Sequence, residues 1–153
     1  MKVNVTLNDK KVQAMLKAFP KRIEKSSRKA LAKASAFVEF VVKKRTARGQ
    51  GVGGAFPGYA ASTKRSRGKR GRSTGRVDLM DTGQMLSSML WKVKSPSLGL
   101  VFFSNTLAAR KAMWHHTGAG HLPVRKWFDV NSREEVLVGN QFRNDFIKQM
   151  ARA

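Results

Sequence analysis

From Gly49 to Arg76 the chain carries no acidic residue, while Lys64, Arg65, Arg67, Lys69, Arg70, Arg72 and Arg76 are interspersed with Gly, Ser and Thr. Cations this close repel one another, and the stretch offers few apolar side chains to hold it against a core. Residues 49–76 are therefore expected to form a flexible basic loop that orders only when a partner neutralises it. Its one sticky spot is Phe56-Pro57-Gly58-Tyr59. Such a run adds little to a hydrophobic core, so the folded body is expected from the segments on either side.

Those segments suit a single domain spanning residues 1–153, a length that buries one modest core. No cysteine is present, which excludes disulfides and thiolate metal sites. No apolar run approaches the ~20 residues that span a bilayer, and Met1-Lys2-Val3-Asn4-Val5 has no apolar signal core, so neither a membrane role nor secretion is expected. Thirty-one Lys and Arg against nine Asp and Glu leave a net charge of +22. Solubility needs a magnitude of only about 2–8 on a small domain. The excess points to polyanions or acidic protein surfaces as partners.

Val3, Val5 and Leu7 alternate with Lys2, Asn4 and Thr6 at the period of a half-buried strand, and Asn8-Asp9 reads as a turn and helix cap. From Lys10, Val12, Met15, Leu16 and Phe19 mark a helix face that Pro20 interrupts, unless Pro20 opens a second helix. Ile23, Ser27, Ala30, Ala34, Phe37 and Val41 continue the spacing to an end near Arg48-Gly49, and Ala30, Ala32, Ala34, Ser35 and Ala36 suggest close packing. Beyond the basic stretch, Asp81 or Thr82 is a cap for a short helix with Met85, Leu86 and Met89. Leu90, Trp91 and Val93, then Leu100 to Phe103, flank a turn at Ser95-Pro96-Ser97-Leu98-Gly99 and predict a hairpin. Thr106 to His116 predicts a helix stopped by Gly118, and His121 to Val130 an extended stretch anchored by Trp127 and Phe128. Ser132-Arg133-Glu134-Glu135 predicts a capping box opening a last helix with Val136, Gly139, Phe142, Phe146, Ile147 and Met150 on one face. The fold class is α+β, with long N-terminal and C-terminal helices packed on a small antiparallel sheet.

Three motifs tempt a catalytic or ligand reading. Asp81-Thr82-Gly83 spells the aspartic-protease triplet, but that fold needs strands around it, and Gln84-Met85-Leu86 reads helical. Gly49-Gln50-Gly51-Val52-Gly53-Gly54 matches G-x-G-x-x-G by letter, yet follows a helix and has no acid before Asp78. His115, His116 and His121 lack the further ligands that a zinc site requires. No nucleophile sits in an elbow or beside these histidines in a recognisable pattern. No catalytic, cofactor or metal residue is assigned, and a non-enzymatic interaction protein is expected.

Several boxes, in order, resemble the neck and tail-completion proteins of tailed phages, also described as virion morphogenesis or minor tail proteins. They are the long N-terminal helix, Phe56-Pro57-Gly58-Tyr59, the basic stretch, and Leu79-Met80-Asp81-Thr82-Gly83-Gln84-Met85-Leu86-Ser87-Ser88. The hairpin ending in Leu100-Val101-Phe102-Phe103-Ser104 follows, then Trp114-His115-His116-Thr117-Gly118 and Leu122-Pro123-Val124-Arg125-Lys126-Trp127-Phe128. Two features depart from the family's pattern: Ala112-Met113-Trp114 stands where Tyr-Ala is usual, and the basic insertion is longer. The resemblance implies a structural virion protein of the head–tail junction or tail, assembled in the host cytoplasm. It implies a homo-oligomeric ring, commonly six-fold, between head-closure or connector proteins and the tail-terminator or tail-tube proteins, around duplex DNA. Assembly contacts are expected at Phe56, Tyr59, Trp114, Trp127 and Phe128. Electrostatic contacts with partner or DNA are expected at Lys64, Arg65, Arg67, Lys69, Arg70, Arg72 and Arg76. The alternative is a general nucleic-acid-binding protein of the ribosomal or nucleoid kind.

Overall fold

The computed structural model describes residues 10–80, 83–120 and 122–152. The strand expected at Val3, Val5 and Leu7, the Asn8-Asp9 cap, the Asp81 or Thr82 cap, and His121 lie outside the described residues. Helix α1, Lys10–Ala47, is a single element, and Pro20 lies inside it instead of dividing it. Pro20 is exposed, so its ring meets solvent, although the lost backbone bond still weakens that turn. The buried face of α1 is made largely by Ser26, Ala30, Ala34, Val42 and Thr46, all spaced by four or eight. Val42 thus takes the inward place the spacing gave to Val41. The small residues admit a close neighbour, because a Cβ added at Gly99 would overlap Ser35 Oγ.

That neighbour is a hairpin of β3, Met89–Ser95, and β4, Leu98–Phe103, paired antiparallel from Met89↔Phe103 to Ser95↔Leu98. The turn shortens to Pro96-Ser97, with an irregularity between Val93 and Ser95. Ser27 Oγ donates to the Pro96 carbonyl and fastens the turn to α1. Helix α5, Ser132–Ala151, also packs along α1, where Lys33 pairs with Asp145. Asn131 caps α5, its side chain accepting from Glu134 N at 2.9 Å while Glu134 Oε2 accepts from Asn131 N at 2.9 Å. The capping box thus starts one residue before the expected Ser132. The short helix with Met85 and Leu86 is α3, Gln84–Ser87, and helix α4, Thr106–Thr117, is capped by Asn105 and stopped, as expected, by Gly118 at φ 74°. The chain is α+β, and among the described residues two separate two-stranded ladders stand in place of one sheet.

The core gathers Val42, Val77, Leu79, Met85, Leu86, Met89, Ala112 and Trp127. Trp127 is fully buried, and its Nε1 donates to the Ala112 carbonyl at 3.2 Å. Phe103 meets its ring edge-on at 5.9 Å, with Phe128 against both rings. The irregular backbone around Trp127 is held by Arg45, a buried α1 side chain. Its Nη2 donates to the Trp127 carbonyl at 2.8 Å and the Asp129 carbonyl at 2.6 Å, while its Nη1 pairs with Glu134. Near Leu79 the chain bends sharply. Leu79 sits at φ 54°, a strained value for a leucine, and Asp78 Oδ1 accepts from Met80 N at 2.9 Å.

Residues 49–76, expected to form a flexible basic loop, carry secondary structure. Strands β1, Gln50–Gly51, and β2, Gly54–Ala55, form a short hairpin, and helix α2 spans Ala61–Lys69. Val52 N donates to the Lys126 carbonyl and Phe56 N to the Gly49 carbonyl, both at 2.8 Å. Gly51 lies so close to the Lys126 carbonyl that any side chain there must displace backbone. Phe56 and Tyr59 pack against the core. Repulsion among the cations is outweighed locally because one of them, Arg67, is neutralised by Asp78.

Candidate functional site

Helix α2 has no acid and no large apolar side chain, so burial of its own residues cannot hold it on the body. It is held largely through Arg67, which is 3% exposed. Arg67 Nη2 pairs with Asp78 Oδ1 at 3.1 Å, its Nε donates to the Ser73 carbonyl at 2.8 Å, and its guanidinium lies 4.6 Å from the Tyr59 ring centre. Tyr59 in turn donates to Asp78 Oδ1 at 3.3 Å. Burial, and then the Asp78 charge, push the Tyr59 phenol above its ordinary range. Arg67 is expected to face a partner; it faces inward, where it pairs with Asp78, the first acid after Glu39. The sequence marks Asp78 as an acid beyond a long basic run, but does not say which of the cations before it will take it.

Lys64, Arg65, Lys69, Arg70, Arg72 and Arg76 are all exposed. They form a basic surface over α2 and the turn after it. Arg70 leans back along its own helix, its Nε donating to the Ser66 carbonyl at 3.2 Å.

The expected assembly contacts divide. Trp114 is 42% exposed and lies beneath the Arg110 guanidinium at 5.9 Å. Trp127 is at the centre of the core and is removed from that set; the same hydrophobicity that suggested an interface fills the interior. Phe56, Tyr59 and Phe128 are half-buried and packed on the core, so they support the surface more than they form it. Two exposed residues beside Trp114 were not singled out as contacts, Leu107 and Met113. Together they leave an apolar face on α4, turned away from the buried Ala108 and Ala112. Isolated exposed apolar residues are ordinary, whereas a clustered face marks contact with another macromolecule.

Between α4 and the Pro57–Tyr59 stretch lies a further buried cation, Arg125. Arg125 Nη1 approaches His115 Nδ1 at 3.5 Å, and its Nη2 donates to the Pro57 carbonyl at 3.3 Å. Burial, and next the Arg125 charge, lower His115 from 6.5 to about 4, so its imidazole is neutral at physiological pH. This histidine ties α4 to the segment before Trp127 and accepts from an arginine. Among the described residues, no helix is long and apolar enough to cross a membrane. Comparison with models of protein families, with characterised proteins and with solved structures finds no match to this chain.

Proposed function

We propose that this protein is a non-enzymatic structural component of a tailed-phage virion, a neck or tail-completion protein that joins tail to head by assembling into a ring. The single observation that carries the reading is the exposed apolar face of α4, Leu107, Met113 and Trp114 with Arg110 beside it, on a small body of charge +22. A face of that kind, offered to a different surface on the next copy, makes a head-to-tail contact that closes into a ring when the rotation permits. The order of the boxes that resemble the phage family supports the same reading. Residues from two of them, Leu79, Met85 and Leu86 from one and Trp127 from the other, also share one core cluster. Virion location, six-fold symmetry and the neighbouring head-closure and tail-terminator rings belong to this proposal.

The test is assembly. Particles made with a Met113→Glu, Trp114→Glu chain should accumulate as separate heads and tails, because both changes place charge on the ring contact while leaving the core untouched. Light scattering on the purified variant should then show a smaller species than the parent chain. Fully joined, infectious particles from the double variant would refute the role. A nucleoid-type or ribosomal protein would show no assembly defect and no ring.

A further inference from the structure

The basic surface over α2 has a composition that separates its two candidate partners. From Ala60 to Arg76 every residue is Lys, Arg, Ser, Thr, Gly or Ala. Protein–protein contacts draw their strength from aromatic and aliphatic anchors pressed into pockets, with charge at the rim. This surface has no such anchor. Contacts to a nucleic-acid backbone need none: Lys and Arg neutralise phosphates, and Ser and Thr hydroxyls donate to the same oxygens. Ser62, Thr63, Lys64, Arg65 and Lys69 supply both kinds of donor and are exposed. No carboxylate within the segment competes for them.

A second observation concerns placement. A nine-residue helix of this composition is too short and too polar to hold its shape alone, yet α2 is docked. The Arg67 guanidinium, gripped by Asp78 and the Ser73 carbonyl and stacked on Tyr59, substitutes for the missing apolar face. The helix is about 13 Å long at 1.5 Å per residue. A duplex presents roughly eight phosphate charges over that length.

We infer that α2 and the turn after it form a phosphate-backbone contact for duplex DNA, and that Arg67 is a positioning residue that sets this helix in place without touching the nucleic acid. The inference fixes the partner of the basic surface, which the head–tail reading leaves between DNA and acidic protein. The two fail separately, because DNA binding is read on the purified full chain and joining is read in particles.

The experiment is fluorescence anisotropy of a short labelled duplex with the full chain between 50 and 200 mM salt. Replacing Lys64, Arg65, Lys69 and Arg72 with Ala should reduce the salt slope of log K by roughly 3–4 units, at about 0.9 per phosphate contact. Replacing Lys17, Lys21, Lys25 and Lys29, exposed on α1, removes the same charge and should change the slope by less than about one unit. Asp78→Asn raises the net charge by one, so binding by bulk charge alone predicts equal or tighter association. Positioning by Arg67 predicts association weakened several-fold, with the melting transition confirming a folded chain. Equal losses from the two alanine sets would overturn the inference. So would a folded Asp78→Asn chain that binds as well as the parent, or poly-glutamate competing as effectively as duplex at equal charge concentration. The last result would assign the surface to an acidic protein. The alanine sets alter only exposed side chains, so they decide the matter even where Asp78→Asn unfolds.

Discussion

Arg45 reaches from α1 to two carbonyls and a carboxylate in the segment that carries Trp127. A lysine at this position has a single ammonium and cannot reproduce the forked geometry. Arg45→Ala removes the counter-charge of Glu134 and the guanidinium donor to the two carbonyls, and a cost of about 3–5 kcal/mol is expected in urea unfolding. Arg45→Lys is expected to recover only part of it. His115 gives a residue-scale prediction with a definite sign. Its folded value of about 4 lies below the ordinary 6.5, so the unfolded chain takes up the proton first as pH falls. The stability it contributes is complete above about pH 6.5 and is lost as pH falls through that value toward about 4. Thermal unfolding at pH 7 and pH 4.5 should therefore differ less in His115→Gln than in the parent; an unchanged difference would assign the loss to other groups. Asp145, held low chiefly by its hydrogen bond from Lys33, acts in a more acidic window, below 3.8. At this scale the sequence discloses residue types and hides their direction. Trp114 and Trp127 look alike in the chain, and only tertiary packing turns one outward and the other into the core.

Among the elements, those with local signals were the legible ones. Asn105 and Gly118 bracket α4 by cap chemistry that acts within a turn of the helix end. At α5, Asn131 and Ser132 are both good caps, and the pairing of Asn131 with Glu134 at the correct three-residue offset decides between them. Asn131→Ala should cost about 1 kcal/mol of stability, measured by chemical denaturation. Ser132→Ala should cost much less. The β3–β4 hairpin was legible from its β-rich runs, but its seat on α1 was not, since it depends on a contact between residues far apart in sequence. Gly99→Ala forces a methyl against Ser35 Oγ, and a loss of roughly 1–3 kcal/mol is expected from thermal unfolding. Ser35→Gly in the same chain should restore part of it. The order of α2 was illegible for the same reason. Its composition reads as solvated chain, and its only large buried side chain is an arginine whose acid lies eleven residues on.

For the molecule as a whole, charge sets the conditions under which these contacts hold. Even if each of the nine carboxylates paired with one cation, the net +22 would remain. Two of the ion pairs, Arg28 with Glu24 and Lys43 with Glu39, join neighbours on one helix turn and contribute little. Self-repulsion of the remaining cations acts over longer distances and favours expansion. Salt separates these effects, because its screening length falls from about 10 Å at 0.1 M to about 3 Å at 1 M. If repulsion dominates, the melting temperature should rise steadily across that range of sodium chloride. If exposed ion pairs dominate, it should fall. A rise is expected, and the variant lacking Lys64, Arg65, Lys69 and Arg72 should rise less, having less repulsion to screen. A polyanion bound to α2 should act as salt does, and at far lower concentration: duplex DNA should raise the melting temperature of the parent chain in dilute salt and lose that effect as salt increases. The same basic surface that opposes compaction in the free chain then becomes a source of stability once its counter-charge is in place.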